Sequence, residues 1–313
     1  MEKYYLFVHF RETHTPEGEQ VYFAVSNGGF IWETVNEGRP ILKSNIGEKG
    51  VRDFTVIRTK DNEFIILATD LSLANRVETL YGSWDHISWP DISRNGSKCL
   101  VKWTSKDLLH WSKPKSVQMV DNDYGCVWAP DVLYDEKINK YIVHWSSPHK
   151  NEDYLKKKIL YSLTEDFENF TSPQVLYQHS EKEVIDSCTF KDNDKYYCVV
   201  KQEGKDGIRL LVSEQATSGY QIVDAFEKSS PEFTSGKYEA PTVFRLPDDR
   251  WCLMLDFYGT KNENEQGYVP FLCDDLSGGK FYRASEKFQF PYGFKHGTVL
   301  EINREEYERL KGI

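Results

Sequence analysis

Alanine is scarce, with eight in 313 residues, and no apolar run approaches the roughly 18 residues that a membrane-spanning helix needs. The first scarcity argues against a helix bundle, because alanine is the strongest intrinsic helix former. The second argues against a transmembrane helix. Basic residues are also outnumbered: 39 Lys and Arg face 49 Asp and Glu, for a formal charge of −10. A nucleic-acid backbone or an anionic membrane would be repelled overall, so neither is an expected partner. The six cysteines (Cys99, Cys126, Cys188, Cys198, Cys252, Cys273) form no CxxC pair. They read as buried thiols in a reducing compartment, against a metal or disulfide framework. The N-terminal residues run into a strand-like segment without an apolar signal core, which predicts a cytoplasmic location. No Pro/Gly/Ser-rich linker divides the chain, and residues 1–313 are expected to form a single domain.

Aromatic residues are abundant, at 14% with 19 Tyr, 18 Phe and 8 Trp. This composition suits pleated, half-buried strands. An acidic, aromatic-rich chain also fits neutral ligands such as sugars, which stack on aromatic faces and hydrogen-bond to carboxylates.

One pattern occurs four times, at residues 53–66, 131–143, 186–198 and 239–252: an acidic residue, an apolar strand, a tight polar turn and an aromatic-rich strand. Each copy reads as a β-hairpin. A fifth copy starts at His296, and the chain ends before its partner strands appear. The lead residues Asp53, Asp131, Asp186, Glu239 and His296 are 78, 55, 53 and 57 apart. A second pattern, a strand ending near Ser followed by a polar turn and an aromatic, begins at Ser26, Ser105, Ser162 and Ser213, and more loosely at Cys273. Its first copy precedes the first lead, and its partner after the fifth lead is missing. Strands at 4–10 and 21–25 therefore complete the C-terminal blade, and the chain is expected to form an all-β, five-bladed propeller closed in that way. The long first interval comes from residues 71–100, an excursion between strands of blade one that holds Trp84, Trp89 and Pro90. Long loops in compact domains are often functional. Residues 304–311 are predicted as a short surface helix.

The innermost strand of each propeller blade runs along the central channel, so the five leads should meet at one mouth. Carboxylates crowded together shift one another's pKa and require a purpose. Around a sugar they supply what glycosidic cleavage needs, a protonated acid for the leaving oxygen and an ionised base for water.

The segments Val51-Arg52-Asp53, Trp128-Ala-Pro-Asp131-Val, Ile185-Asp186, Tyr238-Glu239-Ala-Pro-Thr-Val and His296-Gly-Thr-Val resemble glycoside hydrolase family 43, whose members are five-bladed propellers. The resemblance spans roughly residues 50–302. It implies Asp53 as general base, Glu239 as general acid, Asp186 as the residue that orients the acid and tunes its pKa, and inversion by a single displacement. His296 matches the position that in many members faces a central cation, commonly calcium, so Ca²⁺ on the axis is expected, held weakly because calcium prefers oxygen ligands. The usual base motif has Asp-Pro where this chain has Asp53-Phe54. Trp128, Asp131, Arg52 and Trp84 are the candidate substrate-binding residues.

The expected activity is exo-acting release of terminal α-L-arabinofuranose from short oligosaccharides. β-D-Xylosidase (alone or combined with arabinofuranosidase activity), β-D-galactofuranosidase and a non-catalytic sugar-binding propeller are the alternatives, the last predicting an incomplete carboxylate ring. A sialidase reading, prompted by the Ser-containing turns, would need a cluster of three arginines; Arg52 and Arg245 lie near inner strands without completing such a triad.

Overall fold

Five antiparallel sheets of four strands surround a central axis. The computed structural model describes residues 2–11, 14–204, 207–260, 265–291 and 293–313. From axis to rim, blade one consists of Val51–Arg58, Phe64–Asp70, Cys99–Ser105 and Lys115–Gln118. The inner strands of blades two, three and four are Trp128–Asp135, Val184–Asp192 and Tyr238–Arg245. Blade five takes its inner strand, Phe294–Ile302, from the C-terminal end and its other three, Tyr4–Arg11, Tyr22–Asn27 and Glu33–Thr34, from the N-terminal end. The ring is thus closed by pairing the two ends of the chain, as the interrupted repeat requires.

The polar turns after the inner strands place Asn62, Asn139, Asn193 and Asp249 in the left-handed region, where Asn and Asp are tolerated best among residues with a Cβ. Alternation along the second strands then fills two interfaces at once. In blade one, Phe64, Ile66 and Ala68 pack toward blade five, while Ile65 and Leu67 pack toward blade two. The same division gives one apolar cluster between every pair of neighbouring blades. Most of the aromatic excess is consumed there.

The Ser turns lie between third and outermost strands. Ser105 Oγ accepts from the Leu108 N–H at 3.0 Å, and the Trp111 indole N–H donates to the Leu108 carbonyl at 2.8 Å. In blade two the turn residue is Thr164, whose Oγ1 accepts from the Phe167 N–H at 2.9 Å. Ser162, the predicted turn residue, is a buried strand position two residues earlier. The helix Arg304–Lys311 is capped reciprocally by Asn303 and Glu306, and Glu306 pairs with Arg58 of blade one at 2.6 Å. Tyr307 and Leu310 of this helix enter the cluster between blades five and one, which locks the seam.

Each inner strand starts at the same face of the propeller, and each second-to-third-strand connection returns to that face. In blade one this connection is the excursion, with helices Leu73–Arg76 and Trp89–Asn95. It is tied down: Glu19, from the corresponding connection of blade five, accepts from the Ser72 hydroxyl and from the Leu73 and Ala74 N–H groups, and Arg76 pairs with Glu48 at 2.6 Å. Among the described residues no helix is long and apolar enough to cross a membrane.

Candidate active site

A β-bulge interrupts the first turn of every inner strand. In four blades a residue in the left-handed region sits at the bulge: Asp53 (φ 51°), Ala129 (φ 49°), Asp186 (φ 50°) and Ala240 (φ 55°). This backbone costs a residue with a Cβ about 1–3 kcal/mol, and bulges re-aim side chains. Here they turn Asp53 and Asp186 over the mouth of the channel. In blade four the acid precedes the bulge, so Glu239 is in register with Trp128 of blade two.

Asp131 corrects the expected ring. It stands two residues beyond its bulge and does not line the mouth. Its Oδ2 accepts from the Thr189 N–H at 2.7 Å and lies 3.3 Å from His144 Nε2, and its Oδ1 accepts from the Thr55 hydroxyl at 3.2 Å. Equivalent positions do the same work: Thr298 Oγ1 accepts from the Val56 N–H at 3.0 Å and Thr242 Oγ1 from the Val299 N–H at 3.1 Å. Asp131 is thus one link in a girdle that joins neighbouring inner strands, and it is not among the residues that line the cavity.

The mouth opens into a cavity of about 840 Å³, toward the upper end of the range of about 300–1,000 Å³ typical of small-molecule sites. Asp53, Asp186, Glu239 and His296 form its floor, and Arg52, Trp84 and Trp128 are among the residues that line it. Arg52 is held by Glu19 at 3.5 Å and lies over the Phe10 ring. Trp84 packs on His14 at 4.4 Å between ring centroids, and Trp128 meets Trp89 edge to face at 6.1 Å with the Lys157 ammonium above it at 5.1 Å. Arg245 lies at the far end of its strand, paired with Asp192 and stacked on Trp251. It therefore offers nothing to a carboxylated sugar.

Charge on the floor is distributed unevenly. His296 Nδ1 lies 3.2 Å from Asp53 and 3.9 Å from Asp186. Burial alone would push the imidazole pKa down, but Asp186 and Asp53 outweigh it and raise it to about 9. Burial would also raise Asp53, yet His296, with help from Arg52 and Thr69, holds it below the usual carboxylate range. Asp186 is pushed up to about 6, first by burial and then by the Glu239 charge, against the pull of His296. Glu239 is drawn below its usual range because Lys201 and Lys295 overcome the effect of its burial.

Lys201, Glu203, Tyr258, Lys295, Lys157 and Glu183 also line the cavity, and the repeat pattern did not single them out. Lys201 and Glu203 stand where an apolar second strand ends in charge, after Tyr196-Tyr-Cys-Val-Val. That abrupt change was their one sequence signal.

For calcium the floor is a poor fit. Among the described residues no three His, Cys, Asp or Glu side chains converge as a ligand set. His296 Nδ1 is paired to Asp53 at 3.2 Å, and its raised pKa favours the imidazolium, which has no lone pair to give a metal ion.

A family profile described as "Probable glycosyl hydrolase domain", related to glycoside hydrolase family 43, matches residues 2–308. An α-L-arabinofuranosidase of Bifidobacterium longum is 27% identical over 281 residues, covering 83% of this chain and 24% of that protein. The chain thus spans about a quarter of that relative's length. An α-L-arabinofuranosidase from Podospora anserina, solved with cellotriose, superimposes with a TM-score of 0.53 at 16% identity, covering 78% of this chain and 70% of that one. An exo-β-1,3-galactanase from Phanerochaete chrysosporium does so with a TM-score of 0.50 at 12% identity, covering 82% and 52%. With a profile match along nearly its whole length and the propeller it predicts, the chain belongs to the glycosyl hydrolase domain family related to glycoside hydrolase family 43.

Proposed function

We propose that the protein is an inverting exo-glycosidase that releases terminal α-L-arabinofuranose from short arabinose-containing oligosaccharides of arabinoxylan or arabinan origin. The observation that carries the reading is the meeting of Asp53, Asp186 and Glu239 on one cavity floor. The arabinofuranosidase name of the Bifidobacterium longum relative supports the choice of sugar.

In this mechanism Asp53, kept ionised by His296, takes a proton from a water that attacks the anomeric carbon. The glycosidic C–O bond breaks as the water oxygen bonds, and Glu239 gives its proton to the leaving oxygen. One proton is taken and one is given, and exchange with solvent resets both carboxyls. Asp186 lies behind Glu239, accepting from the Ala240 N–H at 3.2 Å. It keeps the acid oriented and, as a neighbouring carboxylate, opposes early loss of its proton.

The test is a panel of aryl glycosides (α-L-arabinofuranoside, β-D-xylopyranoside, β-D-galactofuranoside and β-D-galactopyranoside), with proton NMR of the first-formed sugar. Preference for the arabinofuranoside with inverted product is expected. Retention would overturn the mechanism, and preference for the xyloside would move the assignment to β-D-xylosidase.

A further inference from the structure

Lys201 stands at the top of the second strand of blade three (Lys195–Gln202), opposite Ile185. Its side chain is only 6% exposed, and its ammonium sits between two carboxylates, 3.0 Å from Glu239 Oε2 and 3.4 Å from Glu203 Oε1, with the Tyr258 ring at 4.7 Å. A buried ammonium needs such company, since uncompensated burial of a charge is costly. The two carboxylates differ in one respect. Glu239 belongs to the floor, whereas the Glu203 side chain is 41% exposed at the start of a rim connection.

The arrangement creates a conflict for a general acid. A carboxyl that must deliver a proton is held here as an anion against a cation, and an ion pair stabilises the deprotonated form. A catalytic cycle therefore has to break this contact, and the second carboxylate gives the ammonium somewhere to go without leaving its cage.

We propose that Lys201 is a positioning residue acting as a two-position latch, pinning Glu239 in the free enzyme and passing to Glu203 when a glycoside fills the cavity, so that Glu239 is released to face the leaving oxygen. The proposal rests on the glycosidase reading of the site. Glu239 gains its proton from solvent as the ammonium departs and gives it to the leaving oxygen, so the latch consumes nothing.

The other groups that face Glu239 set the background. Lys295 and His296 of the blade-five inner strand add positive potential. Asp186 and Tyr258 are coupled to it electrostatically. Asp256, its cross-strand partner, is itself paired with Lys295 at 2.9 Å. His296 has both of its partners, Asp53 and Asp186, on the floor, whereas Lys201 has its second carboxylate, Glu203, at the cavity rim.

Two substitutions should act in opposite directions. Lys201→Met removes the cation, so Glu239 keeps its proton to higher pH and the alkaline limb of kcat/KM moves up. Glu203→Gln removes the alternative partner, so Lys201 stays on Glu239, the alkaline limb moves down and kcat falls at neutral pH with little change in KM. A merely structural role for Lys201 would leave the limbs in place. The exposed Glu203 variant keeps the test valid if Lys201→Met does not fold.

A substrate-free readout separates this proposal from the glycosidase reading. In protein with ¹³C-labelled glutamate carboxyls, the Glu239 resonance is identified by its loss in Glu239→Gln and then titrated. Its midpoint should rise in Lys201→Met and fall in Glu203→Gln, even if no arabinoside is cleaved. Unmoved midpoints and unmoved limbs would overturn the latch while leaving the activity assignment standing.

Discussion

The Nδ1 of His296 lies 3.2 Å from Oδ1 of Asp53, so the imidazole and the proposed base carboxylate share one largely shielded contact. Each holds the other charged. Replacing His296 by Gln should let the Asp53 pKa rise, and the acid limb of kcat/KM should move to higher pH. The stability consequence has a definite sign. The imidazole pKa is raised from 6.5 to about 9 on folding. Its contribution is therefore complete below pH 6.5 and lost as pH climbs through about 9. The difference in denaturation midpoint between wild type and His296→Gln should be widest near pH 6 and should shrink toward pH 9. A gap that grew with pH would contradict a charged His296.

Because that imidazolium already supplies positive charge beside Asp53 and Asp186, turnover should survive chelation. Activity on an arabinofuranoside should be the same after EDTA treatment and after adding back calcium. A loss that calcium restores would bring the axial cation back as a participant.

Asp53→Asn and Glu239→Gln should separate base from acid. Removing a general base or acid costs about 10²–10⁴-fold in rate. Asp53→Asn should therefore lose this much on every substrate. Glu239→Gln should lose it on oligosaccharides but far less on a nitrophenyl glycoside, whose phenolate departs without a proton. Equal losses on both substrates would rule out Glu239 as the proton donor.

The propeller was legible in the sequence because its repeat is written twice, in hairpins such as 53–66 and in Ser-initiated turns such as 105–111, and because the two patterns are out of phase at the chain ends. The floor was legible where the acid coincides with the bulge, as at Asp53 and Asp186. Blade two went astray for a physical reason. Its bulge residue is Ala129, as Ala240 is in blade four; in that register Trp128 takes the place of Glu239 and Asp131 that of Thr242, so blade two brings no acid to the mouth and its nearest carboxylate lies beyond the bulge. Lys201 was invisible because its role arises from contacts with Glu239 and Glu203 across two blades.

Asp131 should accordingly behave as a structural residue. Asp131→Ala strands the Thr189 N–H and deprives Thr55 of a partner. Leaving such buried groups unpaired costs about 1–3 kcal/mol each. The melting temperature should drop by several degrees while KM stays as in wild type. Asp131→Asn, which still offers an oxygen acceptor to the Thr189 N–H, should recover part of the loss. A changed KM in a well-folded Asp131→Asn protein would return this residue to the substrate.

The excursion makes a different kind of prediction, because its tryptophans sit above the floor and away from the carboxylates. Trp89 is 51% exposed beside Trp128, an orientation that leaves apolar surface in water unless a ligand covers it. A sugar ring stacked there would belong to the leaving portion of the substrate and be bound equally in ground and transition states. Loss of uniform binding raises KM and spares kcat. Trp84→Ala and Trp89→Ala should therefore raise KM several-fold for an arabino-oligosaccharide, leave kcat alone and barely affect a methyl arabinofuranoside, which has no second sugar to stack. A kcat loss shared by both substrates would instead make the excursion a support for the floor, transmitted through Glu19 to Arg52.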